Sequence, residues 1–424
     1  MEYNKTMSKN KSNRHFTKKP GIIMYPIYRF LTKVIGSICF KKKCIQNDLK
    51  KIKGPAVIIA NHGTAMDFLN IVSTVKQKLN IVISNSFYQT IGFNRTKSKV
   101  GLIPKQQFQT SPADLKTMKE VVDHQGLLVF YPAGVMTESG LGTPIPKSTS
   151  KFIKWLNCDV YVAFSFGAYL SSPKWSKIRR RGTTEIRIVK IITKEQLQEI
   201  NLQQLDEIID NNLSFDEYRT NDIKKVKFKN GDNVEGLENV LYRCPHCSHE
   251  FSFSVVNKKT LVCDNCGYAV EADEYGLLHS TNLQFKYISE WAYWQDYNRY
   301  HELLNTNDFE MTSNCTIEML DYQKHKYVNV GSGNISLNNK SFTLKGTING
   351  EEFNKILMIT QFPTLPFQTG KNFDIQNGKD IYRIWLENGK EVVKWVSSIR
   401  ALYYINNNIE MKEYKDLNYY GKKL

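Results

Sequence analysis

Two features are scarce in this 424-residue sequence: uncharged hydrophobic runs of membrane-spanning length, and acidic residues near the N-terminus. The one candidate for a span, residues 21–40, contains Arg29 and Lys33, and each charge at the centre of a span costs about 2.5 to 3.5 kcal/mol. Lysines flank this segment on both sides and no small-residue cleavage site follows it, which argues against a signal peptide. The sequence therefore favours neither a spanning helix nor secretion.

A disulfide framework is also absent. Two Cys-x-x-Cys pairs, Cys244 with Cys247 and Cys263 with Cys266, are separated by fifteen residues, and the other four cysteines are scattered. This spacing is typical of a structural zinc site, in which four thiolates complete a tetrahedron around the ion. We therefore expect structural Zn²⁺ in a zinc ribbon and a reducing, cytoplasmic setting. A closed site of this kind leaves no position for a substrate, so no catalysis is assigned to it.

The positive charge is concentrated at the N-terminus. The net charge is +17, and residues 1–55 hold fourteen Lys or Arg against only Glu2 and Asp48. Such an excess indicates an anionic partner, for which nucleic acid and an anionic membrane surface both qualify. The predicted ribbon, residues 241–276, has more acids than bases, which disfavours nucleic acid as the partner.

Residues 21–40 have the pattern of an amphipathic helix. Tyr25, Arg29 and Lys33 are spaced four apart and share one face, and Lys41–Lys43 follow. We expect this helix to lie in the interface of an anionic membrane, with a helix packed on the domain as the alternative. The opposite face carries apolar residues: Ile23, Ile27, Phe30, Leu31, Val34 and Ile38.

A catalytic pair is predicted in residues 56–67. The apolar run Val57–Ile59 predicts a buried strand that leads directly into His62, and apolar residues from Phe68 to Leu79 recur at helical spacing. His62 would then lie in a strand-to-helix loop, and Asp67 in the first helical turn. A neutral imidazole beside a carboxylate is a general base able to take a proton from a hydroxyl group.

The remaining chain divides into segments of different character. Residues 1–53 form a basic arm with the interfacial helix, and residues 54–215 alternate strand and helix signals, as in an α/β fold with a partly parallel sheet. A polar stretch at 214–240 indicates a boundary before the ribbon at 240–276. Residues 285–424 begin with an aromatic helix and continue as a mostly-β module from about 326, which ends in a helix. This order of elements resembles a pleckstrin-homology-like module.

The motifs within 54–192 resemble the lysophospholipid acyltransferase family, whose type member acylates 1-acylglycerol 3-phosphate. Asn61-His62-Gly-Thr-Ala-Met-Asp67 matches its Asn-His-x-x-x-x-Asp motif, and Gly101–Lys105 is similar to a second motif that ends in a basic residue. Residues 130–134, with Pro132 and Gly134, fall where the family has Phe-Pro-Glu-Gly-Thr-Arg. Tyr161-Val162-Ala163 is similar to its Val-Pro-rich motif. The resemblance implies a glycerolipid-acyltransferase-like α/β domain.

The resemblance also implies a reaction and its participants. His62 would deprotonate a lysophospholipid hydroxyl, Asp67 would orient the imidazole, and acyl-CoA or acyl carrier protein would donate the acyl group. Asn61, Gly63, Lys105, Pro132 and Gly134 would bind substrate. Amides near Gly63 or Gly134 would stabilise the oxyanion, and Lys105 would hold the acceptor's phosphate, with Lys99 or Arg95 as alternatives.

The third motif departs from the family at two positions. Ala133 replaces the glutamate and Met136 replaces the arginine, which leaves the identity of the acceptor open. The competing interpretation is a degenerate acyltransferase fold that acts as a lipid-binding or adaptor module. We favour the enzyme, acting in phospholipid biosynthesis as a peripheral protein on the inner face of the cell membrane.

Overall fold

The computed structural model describes residues 19–52, 54–91, 96–107, 111–377 and 380–419. Two features named from the sequence lie outside these ranges, namely most of the basic arm (residues 1–18) and Arg95.

A seven-stranded mixed sheet forms the centre of the N-terminal half. Its strands are β1 Lys41–Asn47, β2 Ala56–Ala60, β3 Leu79–Ser84, β4 Leu102–Lys105, β5 Leu127–Phe130, β6 Asp159–Phe166 and β7 Thr183–Ile192. They lie in the order β1-β7-β6-β2-β5-β3-β4. Strands β2 to β6 are parallel, whereas β7 is antiparallel to β6 and parallel to β1. The α/β fold predicted from the alternating signals is confirmed.

Nine helices accompany this sheet within the described part of the chain. They are α1 Met24–Cys39, α2 Asp67–Thr74, α3 Asn85–Thr90, α4 Pro112–Asp123, α5 Ser148–Leu156, α6 Ala168–Ser171, α7 Lys194–Glu199, α8 Leu202–Leu213 and α9 Glu217–Lys224. The sequence Ser111-Pro112-Ala113-Asp114 predicts the start of helix α4, with a cap and a proline in the first turn. In the structure the side chains of Ser111 and Asp114 each accept a hydrogen bond from the other's backbone amide, which forms a capping box.

Two predicted helices have different bounds in the structure. The helix expected to reach Leu79 ends at Thr74, because Val75 adopts an extended backbone and Leu79 instead begins β3, fully buried. Residues 193–211 are predicted from the sequence to form one further helix, whereas the structure has two helices there, α7 and α8. The side chain of Asn201 caps α8 by accepting a hydrogen bond from Gln204, so the chain turns at that point.

Helix α1 packs on the domain through its small and polar face and leaves its apolar face exposed. Tyr25, Thr32, Gly36 and Cys39 are buried, and a Cβ at Gly36 would approach Leu69 of α2 to 3.8 Å. The packing on the domain that the alternative interpretation expects is therefore present, but it leaves the apolar face of the helix exposed. In the described ranges, no helix is both long enough and apolar enough to cross a bilayer. The exposed side chains are Ile22, Ile23, Ile27, Phe30, Leu31, Val34, Ile35 and Ile38.

The polar stretch at 214–240 is largely internal. Asp216, Glu217 and Asn221 are buried at the start and middle of α9, and their polar groups are matched by partners from distant segments. Glu217 accepts from the Gly167 amide at 2.8 Å, and Asn221 donates to the Tyr275 carbonyl at 2.8 Å. The polar composition here therefore serves hydrogen bonds between neighbouring parts of the fold.

The cysteine-rich segment and the C-terminal module follow. The first is a four-stranded sheet of β8 Phe253–Val256, β9 Thr260–Cys263, β10 Ala269–Ala272 and β11 Leu278–His279. One hydrophobic cluster joins Phe253 and Leu261 of this sheet to Val57 and Val160 of the first sheet. The ribbon therefore shares its core with the α/β part of the protein.

The C-terminal module is an antiparallel sheet followed by a helix, as predicted. Helix α10 (Ile288–Leu304) leads into β12 Glu310–Asp321, β13 Lys326–Asn338, β14 Ser341–Ile348, β15 Glu351–Met358, β16 Phe367–Gln368, β17 Asn372–Asn377, β18 Asp380–Leu386 and helix α11 Val392–Asn406. The strand order is β15-β14-β13-β12-β18-β17-β16. The strands of the module begin at Glu310, earlier than the expected residue 326. The sequence did not predict β12, because this strand is rich in polar residues and alternates only weakly between polar and apolar positions. Trp291 of α10 is fully buried, so the aromatic helix contributes to the hydrophobic core.

Candidate active site

His62 and Asp67 form the pair that their spacing predicts. His62 lies in the loop after β2, and Asp67 is the first residue of α2. The His62 Nδ1 atom is 3.1 Å from Asp67 Oδ2. The same carboxylate oxygen accepts hydrogen bonds from the amides of Gly63 at 2.7 Å and Thr64 at 3.0 Å. Asp67 is only 2% exposed and His62 is 21% exposed, so the carboxylate is fixed while the imidazole remains accessible.

Tyr131, a residue that the sequence did not single out, packs on this pair. Its ring stacks on the His62 imidazole with centroids 4.4 Å apart. Burial, and secondarily the Asp67 carboxylate, raises the pKa of the Tyr131 hydroxyl well above its usual range, so the hydroxyl stays protonated. Within the described residues, the hydroxyls of Tyr131 and Tyr28 and Asp67 Oδ1 are buried without hydrogen-bond partners. The sequence held one clue, an aromatic residue directly after a buried strand.

Asn61 has a positional role in this structure. Its side-chain amide donates to the Ser165 carbonyl at 2.9 Å and accepts from the Ser165 amide at 2.8 Å. Both polar atoms are therefore engaged with strand β6, and the residue is buried. These bonds fix the loop that carries His62 to the neighbouring strand, which is a different contribution from the substrate contact expected.

The two glycines predicted near the oxyanion already use their own amides. The Gly63 amide donates to Asp67, and the Gly134 amide donates to the Tyr131 carbonyl at 3.1 Å. Gly63 is needed for close packing, because a Cβ there would lie 3.2 Å from the Cβ of Tyr169. Gly134 adopts a φ of +72°, a conformation that favours glycine. Both residues therefore shape the loops beside His62.

Lys105 lies at the same edge of the sheet as His62 but at some distance from it. Strands β2, β5, β3 and β4 are parallel neighbours, so their carboxyl ends share one edge. Three strand spacings of about 4.8 Å place β4 roughly 14 Å from β2. Pro132 and Gly134 follow β5, next to His62. Burial lowers the pKa of the Lys105 ammonium, and the Asp114 carboxylate offsets part of that effect.

The C-terminal module lies over this same carboxyl edge. Three of its contacts reach segments that follow β5, β6 and β3: the Arg400 guanidinium lies 2.9 Å from the Glu138 carboxylate, Lys174 Nζ lies 3.4 Å from the Phe367 ring centroid, and His325 Nδ1 lies 2.7 Å from the Gln89 carbonyl. None of these residues was singled out in the sequence, because no local pattern indicates a contact across hundreds of residues.

The four predicted metal ligands converge. The Sγ atoms of Cys244, Cys247, Cys263 and Cys266 all lie within 4.8 Å of one another. Nearby polar groups support the sulfurs, since Asn265 Nδ2 lies 3.4 Å from the Cys247 sulfur. Four thiols at this spacing can hold a metal ion. His246, between the first two cysteines, stacks on Tyr268.

Comparison with known proteins agrees with the motif order. Residues 38–163 match the family model described as Acyltransferase, and comparison with curated proteins gives no match. Among solved structures, the chain is similar to the 1-acyl-sn-glycerophosphate (LPA) acyltransferase PlsC from Thermotoga maritima, at 13% identity over 44% of this chain and 81% of that chain, with a TM-score of 0.35.

A second solved structure is similar to a smaller part of the chain. It is the Ran binding domain of the nuclear complex component Nup2 from Ashbya gossypii, at 16% identity over 23% of this chain and 99% of that chain, with a TM-score of 0.19. The match to the Acyltransferase family model covers residues 38–163, which contain both His62 and Asp67.

Proposed function

We propose that the protein is a membrane-associated O-acyltransferase that moves a fatty acyl group from a thioester donor to a lysophospholipid hydroxyl. The acceptor would be 1-acylglycerol 3-phosphate or a close relative, and the process phospholipid biosynthesis. The observation that carries the proposal is the contact of 3.1 Å between His62 Nδ1 and Asp67, in a domain of the acyltransferase family.

The contact assigns a role to each nitrogen of His62. With Nδ1 directed at Asp67, Nε2 is the nitrogen that takes the proton from the acceptor hydroxyl. The hydroxyl oxygen then attacks the thioester carbonyl carbon. When the tetrahedral intermediate collapses, the carbon–sulfur bond breaks and the imidazolium returns the proton to the leaving thiolate. The buried Asp67 carboxylate stabilises the imidazolium during both steps.

In this proposal the acceptor's phosphate is held by Lys105, with Lys99 as the alternative. Ala133 and Met136 leave the loop after β5 without the carboxylate and the guanidinium that the family motif carries. Each contact between a polar group and a charged partner contributes about 1.5 to 3 kcal/mol. Recognition of the phosphate should therefore be relaxed, and replacing Ala133 by Glu together with Met136 by Arg should raise kcat/KM for 1-acylglycerol 3-phosphate.

The protein would bind the cytoplasmic face of the cell membrane, with α1 as the contact. The exposed apolar face of this helix adjoins Lys41 and Lys43, a combination suited to anionic headgroups. The same helix packs on α2, which begins with Asp67. Membrane binding through α1 would therefore bring the catalytic pair close to the lipid surface.

Zn²⁺ is the metal proposed for the cysteine cluster, because tetrahedral thiolate sites select it. Its role would be structural. The ion would stabilise the ribbon and, through the shared hydrophobic cluster, the neighbouring α/β part.

The test is an acyl-transfer assay on purified protein with a panel of lysophospholipids and thioester donors. The His62→Ala variant should lose activity by at least about 10²-fold while keeping its unfolding temperature. His124→Ala, which alters an exposed histidine after α4, serves as the control and should remain fully active. Absence of transfer by the wild type with every pair of substrates would favour the lipid-binding or adaptor function instead.

A further inference from the structure

A cavity of about 250 Å³ lies between the acyltransferase domain and the C-terminal module. It opens at the carboxyl edge of the first sheet, where the catalytic pair also lies. One wall is formed by the residues that follow β3 and β4, and the other by the module. No motif in the sequence predicts this space, since its two walls are separated by some 250 residues of chain.

The two walls differ in chemistry. The wall contributed by the module is mainly apolar, and the wall contributed by the acyltransferase domain carries neutral amides and a hydroxyl. Asp374 also borders the cavity, but it is paired with Arg383 through two hydrogen bonds of 2.8 and 3.1 Å. The apolar side chains are Leu357, Phe362, Leu365, Pro366, Ile375 and Ile381, and the polar ones of the facing wall are Asn85, Ser86, Gln106 and Gln107.

A short chain of contacts joins this cavity to the catalytic histidine. Gln107 of the polar wall donates to the Gly134 carbonyl at 2.8 Å. The Gly134 amide in turn donates to the Tyr131 carbonyl, and the Tyr131 ring stacks on His62. Lys105 precedes the polar wall directly. The cavity is therefore linked through Gln107 to the loop beside His62, and it borders the residue that follows Lys105.

We infer that this interdomain cavity binds the fatty acyl chain of one of the two substrates. This inference rests on the proposed acyl transfer. A volume of about 250 Å³ is below the roughly 300 to 1,000 Å³ of pockets that enclose whole drug-sized ligands, so it suits part of a chain. The apolar wall would contact the methylenes, and the amides would face the polar end near Lys105. The C-terminal module would thus form part of the substrate site.

Two variants on adjacent residues of strand β15 test the inference. Leu357→Trp fills the cavity from the module side. Ile356→Trp adds the same side chain on the opposite face of the strand, where Ile356 is 57% exposed, and serves as the matched control. Ser86→Trp fills the cavity from the acyltransferase side and provides a second variant should Leu357→Trp fail to fold.

The measurement is KM as a function of acyl-chain length in two series. One series varies the acyl-CoA from octanoyl to stearoyl with a fixed acceptor, and the other varies the acceptor's chain with a fixed donor. Each methylene that the cavity buries should lower KM about fourfold. In Leu357→Trp and Ser86→Trp, the dependence of KM on chain length should disappear in one series and persist in the other. The series in which it disappears identifies the substrate whose chain the cavity binds. Ile356→Trp should show the same dependence as the wild type in both series.

Calorimetric binding of the acceptor alone and of the acyl-CoA alone separates this inference from the proposed function, because neither measurement needs turnover. Chain-length-dependent binding that is lost in Leu357→Trp would support the inference even if no transfer occurred. Active variants with unchanged chain-length dependence in both series and in both binding measurements would overturn it and leave the proposed transferase standing.

Discussion

Arg400, in helix α11, donates a hydrogen bond of 2.9 Å to the carboxylate of Glu138, in the loop that follows strand β5 of the first sheet. Asp296 of α10 accepts a second bond from the same guanidinium at 2.5 Å. Burial raises the pKa of Glu138, but the Arg400 and Lys174 charges outweigh it and hold the pKa below its usual range. Since the amide of Thr137 donates to the His62 carbonyl at 3.2 Å, this ion cluster connects the module to the loop beside His62.

We expect Arg400→Met to destabilise the whole protein. The substitution leaves two buried carboxylates without their cation, and breaking a buried pair in this way costs about 3 to 5 kcal/mol. Denaturant unfolding of the purified variant measures the loss. Lys415→Met is the control, because it removes a cation from an exposed pair with Glu413 and should leave the midpoint unchanged. An unchanged midpoint for Arg400→Met would show that the cluster does not hold the two parts together.

Asp67→Asn should reduce acyl transfer strongly without abolishing it. The imidazole remains in place, but it loses the carboxylate that orients Nδ1 and stabilises the imidazolium. The Gly63 and Thr64 amides also lose a charged acceptor, so the loop loses support. We expect kcat to fall by about 10² or more, with a smaller change in KM. A variant with wild-type kcat would be inconsistent with the proposed role of Asp67.

Lys105 gives a prediction about pH. Its ammonium is the form that would hold a phosphate, and burial lowers its pKa. The charge is therefore lost at a lower pH than for an exposed lysine, so KM for a phosphorylated acceptor should rise as the pH increases through the alkaline range. Lys105→Arg stays charged throughout and should remove that rise. An unchanged KM in the Lys105→Met variant would indicate that another residue, such as Lys99, binds the phosphate.

The cysteine cluster predicts one bound zinc per chain in freshly purified protein. Removal of the metal by a chelator should unfold the ribbon, because binding energy at such a site is largely folding energy. The shared hydrophobic cluster predicts that the unfolding temperature of the whole chain falls as well. Cys266→Ser should reproduce both effects, and Cys44→Ser, at an exposed cysteine outside the cluster, should reproduce neither. Metal analysis that finds no zinc would contradict the assignment.

Helix α1 predicts binding to vesicles that contain anionic lipid, weakened by salt because exposed charges are screened. Phe30 is 66% exposed on the apolar face of the helix, and Phe30→Asp should abolish most of the binding. Ile223 is an exposed apolar residue within α9. Ile223→Asp introduces the same charge there, and this variant should bind vesicles as the wild type does. Equal sedimentation of both variants with vesicles would exclude α1 as the contact.

The sequence by itself determined the local chemistry. An apolar run followed by His62, with Asp67 five residues later, was sufficient to predict a strand, a loop and a helix that bring the two side chains together, because all of these relations are short-range. The cluster of Cys244, Cys247, Cys263 and Cys266 was also predictable, because each Cys-x-x-Cys pair forms a short turn that brings its two sulfurs together. The amphipathic spacing of α1 likewise indicated which face would remain exposed.

The tertiary structure decided everything that depends on long-range packing. Both polar atoms of the Asn61 amide bond to Ser165, over a separation of 104 residues, and these bonds hold the loop that carries His62. The tertiary structure also brought Arg400 to Glu138 and placed the module over the catalytic edge. Such contacts leave no periodic pattern in the sequence, because each residue needs only a partner of complementary charge or shape. Which segment supplies that partner is determined by the tertiary fold.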